Sequence, residues 1–493
     1  MPKWTDSVVS IRPALGDWSS GAGPIYSRLA RALRRAIEEG DLTGGTRLPP
    51  ERPLAEALEI SRTTVVLAYG QLRRSGLVES RQGSGTWVSH RAGLPARRRR
   101  PEPRGHSFLV DSVTRAAAEE PADTIGFLGA CLPAAAGGFI QDAWEAAGAD
   151  LAGLACGAGY SPQGLPTLRR AIASWFEERG LPTSPDEVLV TGGAQQAIDL
   201  AARLLVGEED AVVLEDPTYL GAIDAFAAAR ARLVPLPVGL AGADIGELKR
   251  LVTQASPALV YLVPSFHNPT GAVLPEAARR EVARLAESSG TAVVEDESLA
   301  ELSFGSEPPP PVAAFSSRAP VLTVGSLSKL FWGGLRVGWI RGPRPLVARL
   351  TRLKVTADLS GSVVSQAMAA RLLPRRDEVI RLRRRELRAR FERLSGLLRE
   401  RLPEWSWVRP EGGLTLWVRL PAPCAEELAR TAPRHGVSVV PGPVHSPSGA
   451  CRDHLRLPFV MGEEQLGEGI ERLARAWEAC RQPAGERELG VIV

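Results

Sequence analysis

Residues that suit covalent chemistry with an aldehyde cluster in one short, glycine-containing stretch of this chain. Lys329 follows a strand-like run, Val321–Val324, and two serines, Ser326 and Ser328, precede it in a small polar turn. A lysine amine forms a Schiff base once it is deprotonated, and burial lowers a lysine pKa toward that state. Arg336 follows seven residues later, and a guanidinium binds a phosphate through two parallel hydrogen bonds.

An amine together with a phosphate-binding arginine suits pyridoxal 5′-phosphate (PLP), which carries both an aldehyde and a phosphate. The ordinary alternative is a solvated lysine on a charged surface. Lysine is scarce here, however, because the basic residues are nearly all arginine, and Lys329 lies among apolar and small residues. We therefore predict that Lys329 carries PLP as a Schiff base.

The elements that must position this lysine follow an alternating pattern of helices and strands. Predicted strands end in polar or small-residue turns, and their carboxyl ends would meet at the edge where open α/β sheets bind ligands. These strands are expected at Val188–Val190, Ala211–Leu214, Leu259–Val263, Thr291–Val294 and Val321–Val324. The pattern predicts an α/β domain over residues 123–482 with a mostly parallel central sheet.

Three residues near these turns, and one in the late strand-like run Leu455–Leu457, have side chains that match other parts of PLP or of an amino-acid ligand. Asp296 would pair with the pyridinium nitrogen, Asn268 would donate to the ring hydroxyl, and Tyr219 would stack on the ring. Arg456 would bind a substrate or effector carboxylate. Each residue has an ordinary alternative. Asp296 would cap a loop at a strand end, and Asn268 would form a turn before proline. Tyr219 would pack in the core, and Arg456 would be solvated.

The length and composition predict more than one domain. The chain has 493 residues, 44% of them apolar, with a net charge of only +4, but basic residues concentrate in the first hundred. That asymmetry indicates nucleic acid as a partner. The five cysteines are widely spaced and form no C-x-x-C, so we expect reduced thiols and no metal site. No signal peptide or membrane span is evident, and we expect a cytoplasmic protein.

The N-terminal region, residues 24–90, has the pattern of a winged helix-turn-helix with three helices. Apolar residues recur every four positions from Ile25 to Ile37, a second helix opens at Glu51, and Ser61 can cap a third. Leu77–Arg81 and Thr86–Ser89 read as the two strands of a wing. A helical protein-interaction module is the alternative.

Residues 91–122 break the pattern of both regions. They contain Arg97–Arg100 followed by prolines, and a run of like charge with prolines does not build a core. We expect a basic linker, whose arginines either touch DNA phosphates without sequence preference or remain solvated.

The N-terminal region resembles the GntR family of bacterial transcription regulators. The matching segments are Leu48–Arg52, Ser61–Val65, Gly76–Val78 and Gly83–Thr86. The resemblance implies binding to double-stranded operator DNA. The DNA contacts that it implies are Arg52, Ser61, Arg62, Thr63, Thr64 and Gly83.

Residues 123–482 resemble the fold-type I PLP-dependent aminotransferases. The motifs follow one another along the chain in the same order as in that family: a phosphate-binding turn, a ring aromatic, Asn-Pro-Thr-Gly, Asp, Ser-x-Ser-Lys and two arginines. This resemblance implies a small C-terminal α+β subdomain and a homodimer in which Tyr160 reaches the phosphate of the partner subunit. The implied phosphate ligands are Gly193, Ala194, Ser326, Ser328 and Arg336. A GntR-type region joined to such a domain is the arrangement of the MocR (GabR-type) subfamily.

Two positions depart from that subfamily. Ser298 stands where members usually have a tyrosine that bonds the ring oxygen, and His267-Asn268-Pro269 replaces the frequent Gln-x-Pro. We expect a PLP-dependent DNA-binding regulator that senses an amino compound or PLP. An active aminotransferase with an attached DNA-binding domain is the main alternative, and a PLP-storage or scaffold protein is a third.

Overall fold

The structure, a computed structural model, describes residues 15, 18, 24–38, 41–42, 45–74, 77–81, 85–89, 124–305 and 307–481. The chain divides into two compact units, residues 1–102 and residues 103–493, here named the head and the body. The predicted wing tip with Gly83 and the predicted linker at residues 91–122 lie outside the described residues.

The head is a three-helix unit with a two-stranded wing, as predicted. Its core is formed by apolar side chains from all three helices, including Leu33, Leu54 and Val65, and by Val78 and Val88 from the wing. The elements are α1 (Ile25–Glu38), α2 (Glu51–Ala57), α3 (Arg62–Arg74), β1 (Val78–Arg81) and the antiparallel β2 (Gly85–Val88).

The body is built on an eight-stranded sheet with the order β4-β11-β10-β9-β8-β5-β6-β7. Six of the strands point in the same direction, and β11 and β7 run against them. The strands are β4 (Val188–Thr191), β5 (Ala211–Asp216), β6 (Arg232–Gly239), β7 (Gly242–Ala243), β8 (Leu259–Leu262), β9 (Ala292–Asp296), β10 (Val321–Ser326) and β11 (Gly338–Arg341).

Helices cover both faces of this sheet, because successive side chains of its strands point to opposite sides. In β10, for example, Val321 belongs to one hydrophobic cluster and Leu322 to the other. The helices are α4 (Phe139–Leu154), α5 (Pro166–Glu178), α6 (Ala194–Leu205), α7 (Leu220–Ala228), α8 (Ile245–Ala255), α9 (Glu276–Ser289), α10 (Arg344–Asp358) and α11 (Val363–Leu372).

A smaller α+β subdomain completes the body. The long helix α12 (Arg376–Arg401) leads into a five-stranded sheet with the order β12-β13-β15-β14-β3. Its other elements are β3 (Ile125–Phe127), β12 (Ser406–Trp407), β13 (Thr415–Arg419), α13 (Ala425–Thr431), β14 (Val437–Pro441), β15 (His454–Pro458) and α14 (Glu463–Arg481). None of the helices among the described residues has the length and apolarity needed to cross a bilayer.

Three central strands, β5, β9 and β10, run two residues further than the sequence pattern predicts, which is a correction to the expected turn positions. Strand β9 ends at Asp296 because its parallel pairing with β10 continues to Val324 opposite Asp296. Strand β10 ends at Ser326 because its antiparallel pairing with β11 continues to Gly338. The polar residues are tolerated inside the sheet since they have partners there; Thr323 Oγ1 donates to Glu295 at 2.7 Å. Asp296 and Ser326 are therefore held by the rigid sheet.

Candidate functional site

Lys329 lies in the turn after β10, close to a backbone carbonyl from the start of the body. Its Nζ donates a hydrogen bond of 2.9 Å to the carbonyl of Ala130. Burial lowers the pKa of Lys329, and the positive charges of Arg456 and Arg336 act in the same direction, while Cys131 and Asp296 oppose them. The amine is therefore easier to deprotonate than that of a solvated lysine.

A cradle for an anion lies at the ends of β4 and β10. Gly338 pairs with both Thr191 and Ser326, which brings the turn after β4 beside the serines. Gly193 precedes α6 with a φ of +115°, and a Cβ there would lie 3.0 Å from Arg336 Nη2. The guanidinium therefore lies against a glycine, beside the N–H groups of the first turn of α6.

The two predicted serines belong to the same cradle. Ser326 Oγ donates to Ser328 Oγ at 3.1 Å, and the Ser328 backbone N–H donates to Ser326 Oγ. The first residue of α6, Ala194, lies directly after Gly193. Two hydroxyls, a guanidinium and a helix N-terminus are together the donors that a phosphate group requires.

Asp296 is a buried carboxylate at the end of β9. Its oxygens accept hydrogen bonds from Tyr261 Oη at 3.1 Å and from the Ser298 backbone N–H at 2.9 Å. Burial raises the pKa of Asp296, and these hydrogen bonds oppose that rise. A buried carboxylate of this kind gains from a cationic partner such as a protonated ring nitrogen.

The other two predicted ring contacts are Tyr219 and Asn268. Tyr219 donates through Oη to Gln195 Oε1 at 3.0 Å, and burial raises the pKa of its phenol. The buried atoms Asn268 Oδ1 and Ser298 Oγ have no hydrogen-bond partner among the described residues. Unpaired buried polar atoms are costly, and at this position they would fit a polar ligand.

Arg456 lies in β15 and is only 6% exposed. Its Nη2 donates to the backbone carbonyl of Leu128, and its Nε has no partner in the described part of the chain. Burial lowers the pKa of Arg456 to about 10. A buried guanidinium with an N–H group that has no acceptor among the described residues suits a carboxylate ligand.

The segment Leu128–Ala130 is a site component that the sequence pattern does not predict. Its two carbonyls accept hydrogen bonds from Arg456 and Lys329, respectively. No side-chain pattern indicates this role, since the acceptors are backbone atoms. The contact nevertheless brings the amine and the guanidinium to one short stretch of chain.

Two further supports of the site also follow from no sequence motif. His267 Nε2 lies 3.3 Å from Glu215 Oε2, and its Nδ1 lies 2.9 Å from Thr270 Oγ1, which holds the loop that carries Asn268. On the other side, Glu297 forms buried ion pairs with Arg279 and Arg179. The nitrogen–oxygen distances of these two pairs are 3.1 and 3.0 Å.

A separate cavity of about 680 Å³ lies away from Lys329. It is lined by Trp175, Arg179, Glu301, Arg384 and neighbouring residues. Because none of the predicted cofactor ligands lines it, the cavity is distinct from the site described above.

The predicted DNA contacts of the head lie at the start of α3 and in α2. The Thr64 backbone N–H donates to Ser61 Oγ at 3.1 Å, which caps α3. Arg52, Ser61, Arg62 and Thr63 are exposed, and Arg62 forms an ion pair with Glu51 at 3.0 Å. Arg47, which precedes α2, lies over the ring of Trp87 in the wing at 5.4 Å and is a basic residue that the prediction did not include.

Tyr160 stands apart from the other predicted ligands. It is 67% exposed and forms no hydrogen bond within the described part of its own chain. A single chain therefore does not bring Tyr160 into the cradle.

Family models match both units. Residues 135–473 match "Aminotransferase class I and II", and residues 25–88 match "Bacterial regulatory proteins, gntR family". Among relatives, the probable rhizopine catabolism regulatory protein MocR of Rhizobium meliloti is 31% identical, over 85% of this chain and 86% of that protein.

Enzymes are also similar to the body. The 2-aminoadipate transaminase of Thermus thermophilus is 35% identical, over 64% of this chain and 81% of that protein. The crystal structure of LysN, an alpha-aminoadipate aminotransferase from the same organism complexed with N-(5′-phosphopyridoxyl)-L-leucine, matches with a TM-score of 0.66. It is 31% identical, and the match covers 75% of this chain and 97% of that one.

Both units thus match known families, and the match to MocR spans 85% of this chain. The body belongs to the class I and II aminotransferase family, and the whole chain is a GntR-type regulator of the MocR architecture.

Proposed function

We propose that this chain is a PLP-dependent, DNA-binding transcription regulator, in which PLP binds Lys329 and the occupied site senses an amino compound or PLP itself. The observation that carries the proposal is that Lys329 and Arg456 both donate to the segment Leu128–Ala130. An amine that can bind an aldehyde and a guanidinium that can bind a carboxylate thus serve one site. That pair suits an amino acid or a related amino compound.

The residues present fit PLP. A side chain at Gly193 would crowd the guanidinium of Arg336, and the buried atoms Asn268 Oδ1 and Ser298 Oγ have no hydrogen-bond partner among the described residues. When bound, PLP supplies an aldehyde that exchanges with amines and a ring that withdraws electrons. Gly193, Ala194, Ser326, Ser328 and Arg336 would hold its phosphate.

The protein's own groups control protons at this site. Burial favours the neutral amine of Lys329, which is the nucleophilic form. Asp296 would keep a proton on the ring nitrogen, because a buried carboxylate stabilises a cation beside it. Tyr219 would cover one ring face, and Arg456 would orient the carboxylate of the effector.

Sensing is favoured over catalysis by the side chain at position 298. Serine is too short to extend a hydroxyl as far as a tyrosine does, so Asn268 would be left as the contact to the ring oxygen. With one donor fewer, this chain would hold the ring oxygen less firmly, which would hinder later proton transfers more than amine binding. We infer slow turnover and persistent binding of the amino compound.

The second candidate function is an active aminotransferase. It is favoured by the complete set of Lys329, Asp296 and Arg456, and by the similarity to a protein named 2-aminoadipate transaminase. The two functions differ in whether amino donor and keto acid yield product over many turnovers.

The head would bind operator DNA and so connect effector binding to transcription. We infer that a homodimer, in which Tyr160 of each subunit completes the phosphate site of the other, presents two heads to paired half-sites of operator DNA. An effector would shift operator affinity only to the extent that it binds two arrangements of the dimer unequally. A protein that reads an operator would act in the cytoplasm.

The cofactor assignment is tested by Lys329→Ala. The variant should lose the visible absorbance that PLP acquires on binding and should yield no adduct after borohydride reduction. Lys249→Ala is the matched control, because Lys249 is 48% exposed and pairs with Glu281 on the surface. Normal absorbance and a normal adduct in Lys329→Ala would refute the assignment.

A further inference from the structure

A stripe of arginines runs along the exposed face of α12. This helix carries ten arginines and five acidic residues. Arg381, Arg385 and Arg388 are exposed and spaced at i, i+4 and i+7, so they lie on one face of the helix. We name these three residues the arginine stripe.

The arginine stripe has no acidic partner of its own. Within the described part of the chain, none of its three guanidinium groups forms an ion pair or a side-chain hydrogen bond. The acids that flank it are already bonded elsewhere, since Glu378 accepts from Arg375 and Glu392 from Arg409.

Three other exposed helical arginines of the body do form ion pairs and supply a comparison. Arg284 of α9 forms an ion pair with Glu281, Arg250 of α8 with Glu247, and Arg203 of α6 with Asp199. Those pairs neutralise charge locally and are worth little energetically. Among the described residues, the arginine stripe lacks such pairs, and Arg381 and Arg388 act only at longer range on Glu378 and Glu392.

The spacing suits a phosphate backbone. At 1.5 Å rise per residue, Arg381 and Arg388 are about 10 Å apart along the helix. That length corresponds to about three phosphates along one DNA strand, which succeed one another every ~3.4 Å of the helix axis. Arginine stays charged at every physiological pH and binds phosphate oxygens in a bidentate manner.

We propose that the arginine stripe binds the phosphate backbone of duplex DNA that flanks the site held by the head. The inference rests on the proposed operator binding and adds a second, sequence-independent contact from the body. Charge complementarity selects a polyanion, and the GntR-type head on the same chain selects DNA as that polyanion. Such contacts raise affinity without contributing to base recognition.

The test compares two triple variants of the full-length PLP-loaded protein. One is Arg381→Ala, Arg385→Ala, Arg388→Ala, and the matched control is Arg203→Ala, Arg250→Ala, Arg284→Ala, which lowers the net charge equally. Affinity is measured over a range of salt concentrations. The probes are duplexes of about 25 and about 60 base pairs, which share one site selected by wild-type protein from a random library.

The stripe variant should bind the long duplex about ten- to a hundredfold more weakly at low salt. Its slope of log K against log salt should be shallower by about 2 to 3, since each lost phosphate contact reduces the magnitude of the slope by about 0.9. The control should keep the wild-type slope, and the short duplex should respond less than the long one.

Three results would overturn the proposal. One is equal loss in both triple variants, which would indicate long-range charge alone, and another is wild-type affinity and slope in the stripe variant. The third is a stripe variant that binds DNA normally but loses binding to an acidic protein partner. Failure of wild-type protein to select any DNA site would instead contradict the operator binding itself.

Discussion

Lys329 donates a hydrogen bond of 2.9 Å to the backbone carbonyl of Ala130, two residues from the carbonyl that receives Arg456. This contact holds the amine in partly buried surroundings rather than in solvent. It also ties the amine to the segment that directly follows β3. The reactive group is thereby fixed by backbone atoms, which point mutations do not remove.

The lowered pKa of Lys329 predicts how PLP loading depends on pH. The neutral amine forms above its pKa, so the rate of PLP incorporation should rise with pH through a midpoint below the ordinary value of 10.5. Initial rates of absorbance change after PLP addition measure this midpoint, with a free lysine derivative as the reference. A midpoint at or above that of the reference would contradict the burial argument.

Gly193→Ala should weaken PLP binding. Alanine is strained at a φ of +115°, and its Cβ would press on Arg336 at 3.0 Å. We expect a loss of about tenfold in PLP affinity, which equals about 1.4 kcal/mol. Gly396→Ala in α12 is the control, because a Cβ there meets nothing within 4 Å. Equal PLP affinity in both variants would exclude the cradle as the phosphate site.

Arg62→Ala and Arg52→Ala should weaken operator binding by about 1–3 kcal/mol each, the usual cost of losing a base-reading arginine. Both side chains are exposed at the start of their helices, and the exposed Arg73 near the end of α3 offers a control. Fluorescence anisotropy with operator DNA measures the affinity, and PLP absorbance should be unchanged. If both variants bind like the Arg73→Ala protein, the head reads DNA through other residues.

Tyr160→Phe should loosen PLP without dissociating the dimer. The hydroxyl is exposed in the single chain, and in the proposed dimer it would donate to the phosphate held by the neighbouring subunit. We expect a several-fold higher PLP dissociation constant, in line with about 1 kcal/mol for one hydrogen bond. Sedimentation velocity should report a dimer for both proteins. A wild-type monomer that holds PLP tightly would disprove the shared site.

The fold was predictable because its signals are local. The four-residue spacing from Ile25 to Ile37 and the capping by Ser61 require only neighbouring residues, and the structure has α1 and a capped α3 there. Strand ends were less predictable. Pairing with neighbours extends β9 by Glu295 and Asp296 and β10 by Gly325 and Ser326, and no local pattern encodes that pairing.

The surroundings of the site were harder to predict than its reactive side chains. Turns after strands pointed to Lys329 and Asn268, but the Ala130 carbonyl is a backbone atom 199 residues away. The composition does not indicate which arginines are buried, since arginine is abundant in this chain and usually solvated. Arg279 is fully buried against Glu297, a pairing that becomes visible only when α9 is packed on the sheet.

The most direct test of the central claim is to measure operator affinity while PLP-loaded protein is titrated with amino compounds. In parallel, pyruvate or 2-oxoglutarate is added to the same mixtures and product formation is followed. We predict that at least one amine or PLP changes operator affinity in the wild type and not in Lys329→Ala. Product formation should remain far below the usual enzyme range of roughly 1–1000 per second. Sustained turnover, with operator affinity indifferent to every amine and to PLP, would contradict the account and favour the enzyme.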